Sequence, residues 1–466
     1  MPQRSLRHII LLTAALLGAC GEEPPVVTSL APAAGVYGAE LTITGSNLRP
    51  DAGSLWIDLG EPPVQFVPEP GKRWVEISDE PLRLLDTHPA VQRWTAEEIV
   101  FRYPFPAEGP VTVRTANGEA SAAPFQPTWI PGVPGGVLGK GETIVDAVAG
   151  AEGRVHVLLQ NDAATRLLSF GGTPKPEAHV VAQAPDRVAA TRLVASGDRV
   201  SGLAISGSVR GHLMQLRWEG DAPRLVETGI TSVREKAILA AGTEPSGAWA
   251  WLRREADGKV VRVRERSGAW ILDRGPFDVP EKLHSSPSAA VDAAGTLYLT
   301  YGVDASERVL LFLDNMEAPR VVRLREGDAA FGKEEVPGGP VDDHIISTRL
   351  EVAADGRVLL SWCSDDSALL FLNTRLCQQR LLGADGTWQP PPGPQQPKCL
   401  EYAFTPTALA AGHCDADAVH VAPVAGGEAE VVVWPAASLH RLMVEPTGAL
   451  RPLVSFGDRL YAPRRR

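Results

Sequence analysis

The chain has 466 residues, of which 44% are apolar and 22% are charged, so it can bury large cores and is neither disordered nor fibrous. Its length predicts a few domains, one of which could be a repeat architecture of several hundred residues. The formal net charge of −11 argues against nucleic acid as a partner, because phosphate binding needs a concentrated surface of Lys and Arg.

Residues 1–19 have the layout of a secretory signal peptide. Two arginines precede an apolar run at 9–17 that is too short to span a bilayer, and the segment leads into Leu17-Gly18-Ala19-Cys20. These four residues resemble a bacterial lipobox. An ordinary signal peptide with a Cys here by coincidence is the alternative.

The lipobox resemblance implies that Cys20 becomes the lipid-modified N-terminus of the mature protein. Acyl chains then replace a membrane-spanning helix as the anchor. Gly21 follows the Cys where an Asp would favour retention in the inner membrane, so the resemblance implies the outer membrane. Residues 20–25 are expected to be a short tether, and the remainder is expected to be extracytoplasmic.

Residues 26–127 are predicted to form a β-sandwich. The opening stretch, 26–48, contains two alternating apolar runs that are separated by Pro32, Gly35 and Gly38, which predicts a strand, a turn and a strand. This stretch resembles the start of an IPT/TIG domain, a module with an immunoglobulin-like fold.

The later half of the IPT/TIG pattern can also be followed. Residues 94–104 and 109–121 match its strands in order, and Asn117-Gly118 predicts a tight turn because both residues tolerate a positive φ. The stretch 61–88 is longer and richer in Pro than the pattern, so we expect an insertion at one edge of the sandwich. A Pro/Gly-rich linker at 128–137 follows.

Residues 138–466 contain a recurring sequence pattern: an apolar strand, a tight turn and a second apolar strand. The copies turn at Glu152-Gly153, Gly197-Asp198, Ala294-Gly295, Asp355-Gly356 and Thr447-Gly448, with degenerate copies around Ser246-Gly247 and Asp415 to Asp417. Repeats of about 40–50 residues with several strands are typical of β-propeller blades. We therefore expect an all-β chain, with an Ig-like sandwich followed by a propeller-like domain of about six blades. A pair of β-sandwiches is the alternative.

One later hairpin, at 383–388, resembles a worn Asp-box, the Ser-x-Asp-x-Gly-x-x-Trp turn of sialidase-type propellers. Asp385, Gly386 and Trp388 stand in the expected order, but Gly383 replaces the Ser and one residue is missing before the Trp. The carboxylate of such a turn accepts hydrogen bonds from backbone N–H groups, so the resemblance implies architecture rather than activity.

A glycan-acting hydrolase of sialidase-like architecture is the enzymatic alternative. It needs an Arg cluster, a Tyr nucleophile with a carboxylate partner and an acid, all at the central mouth of the propeller. Phe101-Arg102-Tyr103-Pro104 echoes the Phe-Arg-Ile-Pro signature of that family, but a strand of the sandwich explains it. The tyrosines of the propeller half are expected in its core: Tyr298, Tyr301, Tyr402 and Tyr461.

Three acidic or His-containing clusters are candidate metal ligands. They are Asp342-Asp343-His344, Asp365-Asp366 and His413-Cys414-Asp415-Ala416-Asp417. None has the Gly-punctuated spacing of a calcium loop, so solvated turns explain them, and we expect neither a metal nor a cofactor. The terminal Arg464-Arg465-Arg466 is expected to be a solvated tail.

Four further cysteines, Cys363, Cys377, Cys399 and Cys414, lie within 52 residues of an exported chain, which favours disulfides. Four cysteines allow three pairings. We favour Cys363 with Cys377, which end and begin successive strands, and Cys399 with Cys414, which would tie a Pro-rich crossing to the following blade. A zinc site with Cys414 and His413 is the alternative, although the spacings match no standard finger.

Together these features predict a non-catalytic, lipid-anchored binding or scaffold protein of the bacterial cell envelope. Both modules display loops on rigid sheets, and the sequence shows no catalytic set. The expected partners are the membrane, through the lipid, and an unknown protein or glycan. The sialidase-like hydrolase remains the alternative.

Overall fold

A computed structural model describes most of the chain from Glu23 onward. The described residues are 23–49, 54–57, 66–67, 75–76, 82–84, 90–107, 109–132, 135–139, 141–171, 176–183, 188–196, 199–206, 211–244, 247–254, 256–279, 287–305, 307–309, 312–314, 316–342, 345–353, 355–366, 374–383, 385–391, 399–406, 408–415, 417–423, 429–435, 437–457 and 459–466. The predicted signal peptide and Cys20, and most of the stretch 61–88, therefore lie outside the described residues.

The N-terminal part forms two four-stranded antiparallel sheets. Its strands are β1 (Val26–Ala31), β2 (Ala34–Gly35), β3 (Glu40–Ser46), β4 (Ser54–Ile57), β5 (Phe66–Val67), β6 (Val75–Glu76), β7 (Leu82–Leu84), β8 (Val91–Trp94), β9 (Glu98–Arg102), β10 (Val111–Thr115), β11 (Gly118–Ser121) and β12 (Gln126–Pro127). The sheets have the orders β1-β3-β9-β8 and β11-β10-β4-β7. Alternation along the strands places Ile43, Phe101 and Val113 in one core that both sheets share.

The turn predicted at Asn117-Gly118 is displaced by one residue. Thr115 pairs with Gly118, so Ala116 and Asn117 form the two-residue connection between β10 and β11. Gly118 takes the positive φ, at 143°, which explains why a Gly stands there.

The next strands build three blades. The linker contains β13 (Trp129–Ile130); blade 1 contains β14 (Thr143–Ala149), a short 3₁₀ helix (Ala151–Gly153), β15 (Val155–Gln160), β16 (Ala164–Phe170) and β17 (Glu177–Gln183); blades 2 and 3 contain β18 (Val188–Ser196), β19 (Arg199–Ser206), β20 (Gly211–Glu219), β21 (Ala222–Glu244), β22 (Gly247–Arg254), β23 (Val260–Arg266) and β24 (Ala269–Phe277). Blades 2 and 3 share one continuous strand. The first half of β21 pairs with β20 as the last strand of blade 2, and its second half pairs with β22 as the first strand of blade 3.

Four more blades complete the chain. Blade 4 contains β25 (Ser288–Val291), β26 (Leu297–Asp304), the hairpin β27 (Glu307–Val309) and β28 (Phe312–Asp314), β29 (Met316–Leu324) and β30 (Val341–Asp342); blade 5 contains β31 (Ile345–Val352), β32 (Val358–Asp366), β33 (Thr374–Leu382) and β34 (Trp388–Gln389); blade 6 contains β35 (Cys399–Phe404), β36 (Leu409–Cys414), β37 (Val419–Pro423) and β38 (Glu430–Val433); blade 7 contains β39 (Ser438–Val444), β40 (Leu450–Phe456) and β41 (Arg459–Tyr461), after which comes β42 (Arg464–Arg465).

The seven blades form a closed β-propeller. The first strand of each blade contacts the first strands of its neighbours in the order β14, β18, β21, β25, β31, β35, β39 and back to β14. The chain is therefore all-β in its described part, as expected, with seven blades where about six were expected.

Blade 6 lacks the Gly-containing turn that marks the first hairpin of other blades. Its first hairpin turns at Thr405 to Ala408, where the Thr405 hydroxyl accepts a hydrogen bond from Ala408 N (2.9 Å), so this turn carries no Gly signal. The degenerate copy predicted at Asp415 to Asp417 instead joins the second and third strands of this blade.

The linker and the C-terminus close the ring together. Blade 7 has three strands of its own, and the linker completes it through the Gly135 N to Leu460 O bond (2.8 Å) and a bridge between Val137 and Arg459. The terminal arginines do not form a solvated tail as expected, because β42 pairs with β13, Trp129 opposite Arg465. Ladder hydrogen bonds hold this tail although its side chains are exposed.

The sandwich packs against blades 6 and 7 through an apolar interface. The ring of Phe105, which is fully buried, lies 5.2, 5.8 and 5.0 Å from those of Tyr37, Phe456 and Tyr461. Phe105 N also donates to Trp434 O at 2.7 Å. One continuous apolar cluster therefore runs from the sandwich into the propeller.

The disulfide between Cys363 and Cys377 is present, with an S–S distance of 2.10 Å. Cys414 is also disulfide-bonded, which removes the free thiolate that the zinc alternative needs. The backbones of Cys399 and Cys414 pair in register, but the side chain of Cys399 is outside the description, so that bond stays a prediction. In the described part of the chain, no helix is long and apolar enough to cross a membrane.

Candidate functional site

Seven residues occupy equivalent positions around the propeller axis. Each lies on the first strand of its blade, at the fourth or fifth ladder pair before the hairpin turn. They are Asp146 (opposite Leu158), Arg192 (Leu203), Ala240 (Trp251), Ser288 (Thr300), Arg349 (Ser361), Glu401 (Gly412) and Arg441 (Leu453). We call this set the axial ring.

β-bulges help to position the axial ring. In blades 1, 3 and 7 the register shifts directly before the ring residue, so an extra residue precedes Asp146, Ala240 and Arg441. A bulge bends its strand and re-aims the neighbouring side chains, and bulges are common beside functional sites.

Asp146 links three blades. Its side chain is 4% exposed, and its Oδ2 accepts a hydrogen bond from Leu193 N of blade 2 at 2.7 Å. Its Oδ1 binds the Arg441 guanidinium of blade 7 and Ala147 N, the latter at 2.9 Å. The buried carboxylate is therefore engaged by three donors, as a buried charge must be.

Arg349 binds two carboxylates. Its guanidinium donates to Glu401 of blade 6 and to Glu351 on its own strand. Burial opposes the positive charge, but the two carboxylates outweigh burial and raise the pKa of Arg349 above its ordinary value. Its side chain keeps 36% of its surface exposed, so it remains in contact with water.

Arg192 lies in the same axial space. Burial lowers the pKa of Arg192 below its ordinary value, and the charges of Arg441 and Arg349 lower it further, while Asp146 opposes them. These influences on its pKa come from blades 1, 5 and 7, in agreement with the ring position that the ladder register gives Arg192 on blade 2.

Charged side chains are unevenly distributed around the axial ring. Blades 1, 2, 5, 6 and 7 contribute charged side chains, whereas blades 3 and 4 contribute Ala240 and Ser288. Ser288 is buried, and its hydroxyl accepts a hydrogen bond from Leu350 N at 3.3 Å. Five blades therefore contribute charged ring residues, and the other two contribute small uncharged ones.

The tyrosines that a sialidase-like mechanism would need do not join the Arg cluster. The hydroxyls of Tyr298 and Tyr301 bond to Asp292 (3.3 Å) and Glu334 (2.8 Å) within blade 4. Tyr402 packs in an apolar cluster between blades 5 and 6, where burial raises its pKa to about 12. The last of the four, Tyr461, packs against Phe105 at the sandwich.

Two sequence resemblances fall on structural turns and strands. Asp385 lies between the third and fourth strands of blade 5, and its Oδ1 accepts hydrogen bonds from Thr387 N (3.0 Å) and Oγ1 (2.8 Å). Trp388 Nε1 donates to Glu335 Oε2 at 3.0 Å, which fixes the hairpin on blade 4. Arg102 lies on β9 of the sandwich, with its guanidinium 5.8 Å from the Trp434 ring centre.

The candidate metal ligands show no metal-binding arrangement where they are described. Asp415 Oδ1 accepts hydrogen bonds from Asp417 N and Ala418 N, both at 2.7 Å, and its Oδ2 bonds to His420 Nε2 at 2.7 Å. No group of three or more potential ligands occurs among the described residues. The side chains of Asp342-Asp343-His344 and Asp365-Asp366 lie outside the description.

The histidines beside this turn predict acid sensitivity. The rings of His413 and His420 stack at 4.9 Å, and burial, followed by the His420 charge, lowers the pKa of His413 despite the opposing effect of Asp415. As the pH falls through about 6.5, His413 binds a proton in the unfolded chain before it does so in the folded protein. The free energy of unfolding therefore decreases. We expect His413→Gln to reduce the loss of stability between about pH 7.5 and about pH 5, measured by urea unfolding.

An exposed histidine provides the control for this measurement. The side chain of His212 is 45% exposed, and we expect His212→Gln to leave the slope of stability against pH unchanged. An unchanged slope in His413→Gln would show that His413 does not contribute.

Sequence reasoning missed the axial ring. A signal was present, because Arg192, Arg349 and Arg441 each interrupt an apolar first strand at the same repeat position. The shared position can be recognised only when the repeats are aligned by their ladder pairs. The bulges and the Gly-free turn of blade 6 prevent that alignment from sequence alone.

No family model matches the chain, and no curated protein matches it. The chain is similar to a solved auxiliary nutrient binding protein from Bacteroides thetaiotaomicron, with 10% identity over 95% of this chain and 98% of that chain and a TM-score of 0.43. A second such protein, from Bacteroides ovatus, has 11% identity, coverage of 95% and 99% and a TM-score of 0.38. A Hadza microbial sialidase has 9% identity, coverage of 94% and 95% and a TM-score of 0.39. At these values the likeness carries no information about ligand or activity.

Proposed function

We propose that this protein is a non-catalytic, lipid-anchored binding protein of the bacterial envelope and that the axial ring is its ligand site. The observation that carries the proposal is the position of Arg192, Arg349 and Arg441 at the same place on the first strands of three blades, where Arg441 binds Asp146 of blade 1 and Arg349 binds Glu401 of blade 6. The side chains of Arg349 and Arg441 stay 36% and 33% exposed. Apolar side chains could fill a propeller axis at equal or lower cost in stability, so water-accessible charges there support a role in binding.

The anchor rests on the lipobox resemblance at Cys20. We expect the wild type to incorporate a labelled fatty acid and to partition with membranes, and we expect Cys20→Ala to move to the soluble fraction, because the acyl chains supply the membrane affinity. Metabolic labelling followed by fractionation measures both. An unlabelled wild type that still sediments with membranes contradicts the anchor.

Binding at the axial ring can be tested with the chain from Gly21 to Arg466. We expect the immobilised wild type to retain a solute from an envelope extract, identified by mass spectrometry, and we expect Arg192→Gln to lose it. Arg224→Gln is the matched control, because the Arg224 side chain is 68% exposed on the surface. Equal retention by all three proteins, or by none, would contradict a ligand site at the axis.

The hydrolase alternative has one observation in its favour, which is the same Arg cluster. The Tyr and carboxylate pair of Tyr301 and Glu334 lies instead in the core of blade 4. We expect the protein to release no fluorophore from 4-methylumbelliferyl N-acetylneuraminide. Release that disappears in Arg192→Gln would favour the hydrolase over the binding protein.

A further inference from the structure

The outer strand of blade 3, β24, has an open edge. It is the last strand of its sheet, so only one of its two sides is paired within the described part of the chain. Its nine residues make it the longest outer strand of the described propeller, because β17 has seven, β38 has four, and β30 and β34 have two each. An open edge presents backbone N–H and C=O groups to an extended segment that can pair with them.

Two features limit the part of this edge that can pair. Asp273 is an extra residue in the register with β23, so the strand bulges there, and Pro276 has no N–H to donate. Bulges and prolines commonly protect sheet edges. The stretch Ala269–Leu272 lies before both and pairs with β23 in unbroken register, so its outer side is regular.

This stretch exposes an aliphatic side chain on each face of the blade. Ile271 and Leu272 are 40% and 53% exposed, and they are the one pair of adjacent large apolar residues in the described chain that are both so exposed. Ile271 lies opposite Arg264, and Leu272 lies opposite Val263. Because directly paired residues share a face and successive residues alternate, the two aliphatic groups flank the edge.

A cluster of four guanidiniums and two carboxylates adjoins the Ile271 face. The guanidiniums belong to Arg262, Arg264, Arg266 and Arg274, and the carboxylates belong to Asp273 and to Glu326 of blade 4. Asp273 lies 2.6, 3.5 and 3.2 Å from the first three arginines in that order, and Glu326 lies 3.1 Å from both Arg262 and Arg274. The cluster thus carries an excess of two positive charges in a chain whose formal net charge is −11.

Arg266 is the guanidinium that can reach a partner. Its side chain is 60% exposed, and it bonds to Asp273 through one Nη atom. The residue opposite it on β24 is Ala269, whose small side chain does not separate Arg266 from a further strand. Arg262, Arg264 and Arg274 are 12–15% exposed, so they contribute their positive field rather than direct contacts.

The edge is also fixed in place. Arg274 donates to Glu326 Oε2 at 3.1 Å and to the carbonyl oxygens of Arg325 and Asp328 at 3.2 and 3.3 Å, all on blade 4. These bonds fasten β24 to the neighbouring blade, so a partner would meet a strand that is already ordered. Such preorganisation reduces the cost of binding.

We propose that the β24 edge binds an extended acidic segment of a partner protein by strand addition. The backbone of the segment pairs with Ala269–Leu272, a carboxylate beside Ala269 meets Arg266, and aliphatic side chains cover Ile271 and Leu272. Charge selects this occupant, because a second copy at the same edge would bring two positively charged clusters together. The surface is separate from the axial ring, so the inference goes beyond the proposed function and does not depend on it.

Fluorescence anisotropy with the chain from Gly21 to Arg466 tests the inference. The probe is a labelled peptide, Ser-Glu-Thr-Val-Val-Thr-Glu-Ser, which reads the same in both directions and can therefore pair parallel or antiparallel. We expect saturable binding that weakens as the salt concentration rises from about 0.05 M to about 0.3 M. A peptide with Gln for both Glu should bind roughly 10-fold more weakly.

A third peptide isolates the contribution of the backbone. It is N-methylated at both valines, and since neighbouring N–H groups of a strand point to opposite sides, one of the two methyl groups always faces β24. We expect this peptide to bind at least roughly 10-fold more weakly than the unmodified probe, because it loses a ladder hydrogen bond and clashes with the edge.

Two variants of the protein and two matched controls locate the site. Arg266→Gln and Leu272→Ser should each weaken binding of the probe by roughly 3- to 10-fold. Val180→Ser removes an equally exposed aliphatic group, 53%, from the outer strand of blade 1, and Arg224→Gln removes a charge that is 68% exposed. Both controls should bind like the wild type, and thermal melts show that each variant is folded.

Several outcomes would overturn the inference. Equal binding of the N-methylated and unmodified peptides would mean that charge alone is recognised, as by a surface for polyanions. Unchanged binding in folded Arg266→Gln and Leu272→Ser would place the peptide elsewhere, and absence of binding to the wild type would exclude the site. A wild type that sediments as a dimer beside a monomeric Leu272→Ser would assign the edge to a second copy instead.

Discussion

Replacement of Arg451 by methionine is expected to lower the free energy of unfolding by about 3–5 kcal/mol. Arg451 is 3% exposed on β40, and its Nε donates to Glu445 at 2.6 Å. Its two Nη atoms donate to Ala462 O and Gly153 O, both at 2.9 Å. One guanidinium thus joins blade 7, the first turn of blade 1 and the C-terminal segment, and methionine would leave the Glu445 carboxylate and two carbonyls without these donors.

Gly153 is part of the same contact. Its φ is +73°, and a Cβ there would lie 2.3 Å from an Nη atom of Arg451. Urea unfolding measures the effect of Arg451→Met, with Arg224→Met as an exposed control that should change stability by less than about 0.5 kcal/mol. A loss below about 1 kcal/mol for Arg451→Met would show that ring closure does not depend on this residue.

Replacement of Phe105 by alanine is expected to cost about 3–5 kcal/mol, because a fully buried aromatic ring leaves a cavity. The cavity would open between the sandwich and the propeller, among Tyr37, Phe456 and Tyr461. Chemical denaturation measures the loss, and limited proteolysis should cut near the linker faster than in the wild type.

Two other substitutions calibrate the result at the interface. Phe105→Leu keeps most of the volume and should cost about 1 kcal/mol. Val336→Ala removes a side chain that is 60% exposed and should be nearly neutral. A Phe105→Ala protein as stable as the wild type would mean that the two parts of the chain fold without mutual support.

Much of the architecture is encoded in local signals that a single sequence displays. Turns such as Asp355-Gly356 and Thr447-Gly448 carry a Gly at positive φ, +83° and +87°, and these signals gave the repeat. The Thr405 turn of blade 6 is closed by a hydroxyl instead of a Gly, and β21 runs through two blades without a turn. Neither place therefore shows the Gly-containing turn that marks a new hairpin. The blade count therefore needed the structure.

The axial site depends on long-range register and could not be derived in the same way. Asp146 and Arg441 are 295 residues apart in sequence, and only the closed ring brings their side chains together. The terminal arginines differ from the expectation for the same reason. Their charge is typical of a solvated tail, but a backbone ladder pairs Arg464 and Arg465 with Ile130 and Trp129. Composition cannot reveal a pairing between the linker and the C-terminus.

That pairing also has a consequence for how the protein folds. The bond from Gly135 to Leu460 and the ladder between β13 and β42 join segments from opposite ends of the propeller sequence. Synthesis proceeds from the N-terminus, so these contacts form only after residues 459–465 are made, and such high contact order slows folding. Until then blade 7 lacks its fourth strand, and the open edge can pair with other chains and aggregate. A chain that stops before β41 should therefore depend on chaperones far more than the complete one.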